Sequence, residues 1–401
     1  MTAAASGTPA ARPPRVLVVG PIYGGSLETA RSTARASEKL GAETRLLDFD
    51  AFGAGWHALS VMPMAAAHKT RLRVDYAKVL GEAVVACAFE FQPDLVIALA
   101  QAPINAAVTD RLRAAGIRTA FWFVENHRVL PYWKQVAKDY DAFFAMQDEP
   151  FLSMLREAGA RKAVYLPTAA DPDRHVPVVL TEAEQRRFGA DVSFAGAPYL
   201  NRQRMLLGLI DLAPKVWGEG WGTTEVAKLA AERGARFDLF EMIRIFAATR
   251  INLNIHSANH VAGLDPDPDY VNPRTFELAA CGAFQLVDAR TPLPTMFGET
   301  ELVTFRSVNE LREQIAYYLA HPDERAAITA RARARVLAEH TFAHRVRRIF
   351  EEMLPAELQP GQKAIGRGLT DAIGALERTS QRMSPDEAMM RVLQHVQQGR
   401  L

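Results

Sequence analysis

Val271-Asn-Pro-Arg-Thr-Phe-Glu-Leu-Ala-Ala-Cys-Gly-Ala-Phe-Gln-Leu-Val-Asp288 is the stretch on which the fold turns. Asn272 is a good N-cap, and Pro273 sits at the first helical position, where a backbone N–H would have no partner anyway. Thr275 to Cys281 continues as a short helix of good helix formers, and Gly282 supplies a left-handed stop. Ala283 to Val287, apolar except for Gln285, then predicts a fully buried strand. A short helix thus feeds directly into a core strand and carries two charges on one face, Arg274 in its first turn and Glu277 three residues on. Two readings compete. In one, the two charges form an i,i+3 ion pair on an ordinary helix. In the other, the unpaired N–H groups and positive dipole end of the helix mouth hold an anion beside Arg274.

Upstream, the chain repeats the same rhythm. Strands are predicted at Arg15–Gly20, Thr44–Phe49, Asp94–Ala100, Arg118–Val124, Ala142–Gln147 and Ala163–Leu166, with helices over about 27–40, 73–91 and 105–115, and an irregular stretch over 51–70. Prolines 167, 172 and 177 break the alternation. A second series of strands follows at Asp191–Ala195, Lys215–Gly218, Ile251–Ile255 and Leu302–Phe305, again with helices between. Such alternation implies parallel sheets covered on both faces. The expected organisation is a disordered leader (1–14), an N-terminal Rossmann-like domain (15–170), a linker (171–189), a C-terminal Rossmann-like domain (190–340), a closing helix (341–355) and a helical tail (356–401). The tail is expected to pack back on the body, to mediate a protein contact or self-association, or to be partly disordered. Ligands of such sheets bind beyond the carboxyl ends of the strands. This singles out loops 20–26, 100–105, 125–128, 196–202, 256–272 and 288–291.

Composition narrows the function classes. A chain of 401 residues with 49% hydrophobic and 23% charged residues is globular, and a formal charge of +1 gives no long-range bias toward nucleic acid or acidic lipid. Two cysteines, Cys87 and Cys281, build neither a disulfide framework nor a structural zinc site, which fits a cytoplasmic location. No window reaches the length and apolarity of a membrane span.

The 272–288 block resembles the signature of the CgeB-like glycosyltransferases, the spore-maturation and glycosylation relatives of the GT-B enzymes. Further blocks appear in the family's order: Phe121-Trp-Phe-Val-Glu-Asn-His, Tyr165-Leu-Pro-Thr-Ala-Ala-Asp-Pro, Asp191-Val-Ser-Phe-Ala-Gly, Asn252-Leu-Asn-Ile-His and His340-Thr-Phe-Ala-His-Arg. They span roughly residues 90–353. The resemblance implies a GT-B fold, with two Rossmann-like domains facing across a cleft, the nucleotide sugar in the C-terminal one and the acceptor in the N-terminal one. It also implies metal-independent transfer to a protein or surface glycan, with no cofactor beyond a UDP-linked donor. A non-catalytic sugar-nucleotide-binding protein and a sugar-nucleotide epimerase are the alternatives on the same fold. The chain departs from the family at Glu125-Asn126, where two acids often stand. The retaining pattern of two glutamates separated by seven residues has Glu277 as its second member and only Asp269 at the first.

Transfer from a nucleotide-diphosphate sugar requires charge stabilisation of the departing diphosphate and exclusion of water. Arg274 and the amides following Asn272, Thr275 among them, suit the diphosphate, while Glu277 suits the ribose hydroxyls. Gly196, Arg202 and His256 are further donor-side candidates at strand ends. Arg202 is equally readable as a surface arginine and His256 as a structural histidine. Asn252 and Asn254 are expected to bond locally, and Trp217 and Trp221 to pack in the core. On the acceptor side, Gly24 and Gly25 permit close approach of a ligand, and Asn126 faces the cleft. Glu125 or His127 would be the base of an inverting reaction, whereas a retaining one needs no base there. Cys281 reads as a small buried hydrophobe.

Overall fold

In the computed structural model, residues 12–359 are described, apart from 235, 236, 259, 260 and 262. The first half consists of β1 (Arg15–Val19), α1 (Leu27–Lys39), β2 (Glu43–Leu47), α2 (Asp50–Val61), α3 (Ala66–Phe91), β3 (Leu95–Leu99), α4 (Ala106–Ala114), β4 (Arg118–Phe123), α5 (Trp133–Val136), β5 (Ala142–Ala145), α6 (Phe151–Glu157) and β6 (Ala163–Tyr165). Its six strands form a parallel sheet in the order β2-β1-β3-β4-β5-β6, with Val18 opposite Ile97 and Ile97 opposite Ala120. Runs such as Val16–Val19 and Leu95–Leu99 have no exposed surface, because helices cover both faces of the sheet.

The second half runs α7 (Glu182–Phe188), β7 (Ala190–Ala195), α8 (Leu200–Leu207), β8 (Lys215–Trp217), α9 (Leu239–Ala248), β9 (Thr249–Asn254), α10 (Pro273–Ala280), β10 (Gln285–Asp288), α11 (Leu293–Met296), β11 (Val303–Phe305), α12 (Val308–Ala320), α13 (Pro322–Glu339) and α14 (Phe342–Met353). Five parallel strands are ordered β11-β10-β9-β7-β8. Each sheet reverses its winding once, between β1 and β3 in the first and between β7 and β9 in the second. The crevices beyond those reversals are where such sheets take ligands.

The chain crosses between the halves twice. Ala170 and Thr341 form an isolated parallel bridge at the crossing, with Ala170 N–H donating to the His340 carbonyl at 3.0 Å. After it, α14 packs on the first half: Phe342, Val346, Ile349 and Phe350 are buried in that core, and Arg118 donates to the Met353 carbonyl at 2.7 Å.

Two stretches differ from the sequence reading. Residues 51–70 are not irregular; they hold α2 and the start of α3. Gly53 and Gly55 lower helix propensity, yet both are needed for close packing. A Cβ at Gly53 would stand 3.0 Å from the Ile22 carbonyl, and one at Gly55 2.7 Å from the Tyr76 hydroxyl. The stretch 171–189 contains α7, started by a capping box in which Thr181 accepts from Glu184 N–H and the Glu184 side chain reaches back. The expected closing helix is α14 (Phe342–Met353); within the expected leader, Arg12 pairs with Asp94 at 2.6 Å, while residues 1–11 and the tail from 360 on lie outside the described residues.

Candidate functional site

A cavity of about 340 Å³ opens between the two halves. The first half contributes Gly25, Ser26 and Thr29 after β1 and Glu125 and Asn126 after β4; the second contributes Gly196 and Arg202 after β7, Ser257 after β9, and Tyr270, Asn272, Arg274 and Glu277 around the start of α10.

The α10 end is built from short-range chemistry. Asn272 caps the helix by accepting from Thr275 N–H at 3.1 Å, and Pro273 occupies the first helical position. Gly282 ends the segment at φ +66°. Asn254 on β9 ties the cap down by donating to Thr275 Oγ1 and Gln285 Oε1, both at 2.9 Å, while its own carbonyl accepts from Asn272 Nδ2 at 2.8 Å. Asn252 likewise bonds only to neighbouring carbonyls. Thr275 is fully buried inside this network, so its side chain backs the cavity and does not line it.

Arg274 and Glu277 both face the cavity and pair with each other at 3.0 Å, with side chains about one-fifth exposed (22% and 18%). Arg274 also lies over the Phe246 ring at 4.8 Å. The ion pair of the first reading and the helix mouth of the second are therefore the same place: the pair stands at the N-terminus of α10, on the cavity wall.

Arg202 binds the two switch-point loops together. It donates to the Ile255 carbonyl at 2.9 Å and the Ala197 carbonyl at 3.1 Å, and its guanidinium lies against Phe194 and Tyr199. Burial lowers its pKa to about 10, which leaves it charged at neutral pH. Gly196 makes room for this arrangement, because a Cβ there would meet Phe194 at 3.0 Å and Arg202 at 3.3 Å. Trp221 is buried and donates to the Gly196 carbonyl at 2.7 Å, and Trp217 is buried beside Phe188, so both tryptophans serve the core.

His256 is displaced from the role of donor contact. It is 1% exposed; Nδ1 donates to Asp288 Oδ1 at 2.6 Å, and Nε2 accepts from Asn272 N–H at 2.8 Å. Both nitrogens are used, and burial depresses its pKa to about 4, so the ring is neutral. Arg290, also buried, holds Asp288 Oδ2 at 3.3 Å and the Tyr270 carbonyl at 3.0 Å. The chain Arg290–Asp288–His256–Asn272 sets the backbone where α10 begins.

Across the cavity, Glu125 is largely shielded from solvent, and burial raises its pKa, opposed by a hydrogen bond from Gln101. Gln101 adopts a left-handed backbone at φ +63°, and Gly24, at φ +100°, lies so close that a Cβ would sit 3.1 Å from Gln101 Oε1. Gly24 thus accommodates Gln101, while the neighbouring Gly25 lines the cavity. His127 does not line it. Its ring is buried and stacked on Phe151 at 4.3 Å, and Nδ1 donates to Gln147 Oε1 at 2.9 Å. Burial lowers its pKa. Asn126 does line the cavity and accepts from Arg128 N–H at 3.0 Å.

The sequence reading missed the bond that spans the cleft. Arg128, after β4, pairs with Asp269, before α10, at 2.9 Å, and Gln147 donates to the same carboxylate at 2.8 Å while its carbonyl holds His127. The acid at the first position of the retaining pattern is thus engaged by the opposite half. His175, in the segment between the halves, was also missed. It is buried with Arg274, Glu277, Asp171 and Glu28 as its charged neighbours. Cys281 is buried, and that burial raises its thiol to about 12, as a small hydrophobe requires. Among the described residues no helix is long and apolar enough to cross a membrane.

Comparisons with known proteins agree with this architecture. Residues 202–351 match the family described as Glycosyl transferase-like. The spore protein CgeB of Bacillus subtilis is 23% identical over 282 residues, covering 67% of this chain and 83% of CgeB. Among solved structures, a glycosyltransferase from Rickettsia africae is similar at TM-score 0.58 and 13% identity, over 86% of this chain and 99% of its own. Sucrose-phosphate synthase from Thermosynechococcus elongatus is similar at 0.55 and 14%, over 85% and 99%. The Anabaena protein Alr3699/HepE, solved in complex with UDP-glucose, is similar at 0.55 and 13%, over 84% and 98%. At such identities the structural likeness establishes the fold alone, and the matched sequence family carries the enzyme class. Sequence and fold point the same way: residues 202–351 match the glycosyl transferase-like family, the chain is similar to CgeB over 67% of its length, and its two Rossmann-like domains have the GT-B fold.

Proposed function

We propose that the enzyme moves a sugar from a nucleotide-diphosphate sugar, UDP-linked, to a protein or surface-glycan acceptor, without a metal ion. The observation that carries this reading is the Arg274–Glu277 pair at the mouth of α10, inside a cavity walled by both halves. Arg274 and the helix N-terminus take the diphosphate charge, so the cationic task falls to the protein itself. Glu277 grips the ribose hydroxyls, and Arg202 and Gly196 border the donor from the β7 side. The UDP and UDP-glucose complexes of the Anabaena protein support a UDP-linked donor here.

Glu125 faces the acceptor side, with Asn126 and Gly25 beside it. For stereochemistry the reading is retention, carried by Glu277; Glu125 then holds acceptor hydroxyls. Under inversion Glu125 would be the base, since His127 is off the cavity wall. A cytoplasmic setting belongs to the same proposal. Incubation with a panel of nucleotide sugars and a cell extract as acceptor source should release UDP only when acceptor is present, with the product anomer matching the donor's. Binding without release, or a changed donor without acceptor, would instead assign the cavity to a binding protein or an epimerase.

A further inference from the structure

Away from the cleft, exposed apolar side chains gather on α2 and the first turns of α3. Phe52, Val61, Met62, Leu72 and Val74 are 42%, 63%, 40%, 38% and 49% exposed, and no residue of α2 is buried. Trp56, half-buried, stacks on exposed Tyr23 at 4.7 Å. The near-neutral total charge hides a local asymmetry. Between Asp50 and Asp75 the chain contains no acid, but it contains Lys69, Arg71 and Arg73 together with His57 and His68. Arg73 lies over the Trp56 ring at 5.2 Å, and Arg71 reaches Asp75 only at 3.9 Å with its side chain 83% exposed. Exposed apolar side chains at the α2–α3 turn, Val61 and Met62, followed on α3 by Lys69 and Arg71, combine the apolar and cationic chemistry that suits a headgroup boundary.

We propose that α2 and the start of α3 seat the protein on an anionic lipid surface, with Val61 and Met62 among the headgroups and Lys69 and Arg71 against their charge. Lipid engages both halves of this chemistry. An acidic polypeptide would use the cations and leave the apolar side chains in water, and a second copy would bring like charges together. Tyr23 leads directly to Gly25 and Ser26 on the cavity wall, so docking would bring the first-half rim of the cleft to the lipid surface. The inference stands apart from the transfer reaction and does not depend on it.

The test is co-sedimentation of the full chain with phosphatidylcholine vesicles, with and without phosphatidylglycerol. Binding is expected to the mixed vesicles only, with release by salt as screening shortens the reach of the charges. Arg71→Glu should weaken binding about fivefold or more, as expected for one basic residue at an anionic surface. Val61→Ser should weaken it too, and both variants should keep full activity in the absence of vesicles. No binding to mixed vesicles, equal binding to neutral ones, or wild-type binding by both variants would overturn the proposal. So would a dimer broken by Val61→Ser, or capture of polyglutamate, in either case without vesicle binding.

Discussion

Arg274 and Glu277 are 3.0 Å apart on the cavity wall, each the nearest opposite charge to the other at the mouth of α10. A bound diphosphate would share Arg274 with Glu277, and the released carboxylate would be left facing a neutral diol. The two residues therefore differ in what their loss should do.

Arg274→Ala removes the cation that stabilises the leaving group. Removing one such donor costs about a hundredfold or more in turnover. Single-turnover kinetics at saturating donor should show that fall with an unchanged melting profile. An unaltered rate would exclude Arg274 from the diphosphate.

Arg128→Ala breaks the ion pair across the cleft. Arg128 and Asp269 are 26% and 18% exposed, so their contact is partly shielded and is expected to help hold the two halves closed. The variant should raise the KM for donor about tenfold, near the value of one charged hydrogen bond, and small-angle scattering should show a more open apo form. An unchanged KM and an unchanged scattering profile would make the pair incidental.

His256 gives a pH signature. Its folded pKa is about 4, held down by burial, against an ordinary value of 6.5. The unfolded chain therefore takes up this proton first as the pH falls. The contribution is complete above about pH 6.5 and declines toward pH 4, on the order of 3 kcal/mol across that window. His256→Asn should flatten the fall of stability with acid relative to wild type, measured by denaturant titration at each pH. Parallel curves would show that the ring is not held neutral.

The helix–strand unit at 271–288 was legible because its signals are local: the cap at Asn272, the proline after it and the stop at Gly282 lie within one short segment. Asn252 and Asn254 were legible for a similar reason, since a polar side chain in a buried strand must find partners nearby. The helix at 50–61 was hidden by two glycines whose purpose is tertiary, close approach to Ile22 and Tyr76. The site was less legible than the fold. Sequence placed His256 and His127 at strand ends, but only the structure shows that Asp288 and Asn272 occupy both nitrogens of one, and that Phe151 and Gln147 draw the other off the wall. The Arg128–Asp269 bond joins residues 141 apart, and no local pattern announces it.

The central claim is that Glu277 grips the donor's ribose at the mouth of α10. Titration calorimetry of UDP into wild type and Glu277→Gln measures this directly. The account predicts weaker binding by the variant, by roughly 1–3 kcal/mol, as for loss of a charged hydrogen bond, with the fold intact by circular dichroism. Equal affinity of the two proteins for UDP would contradict it.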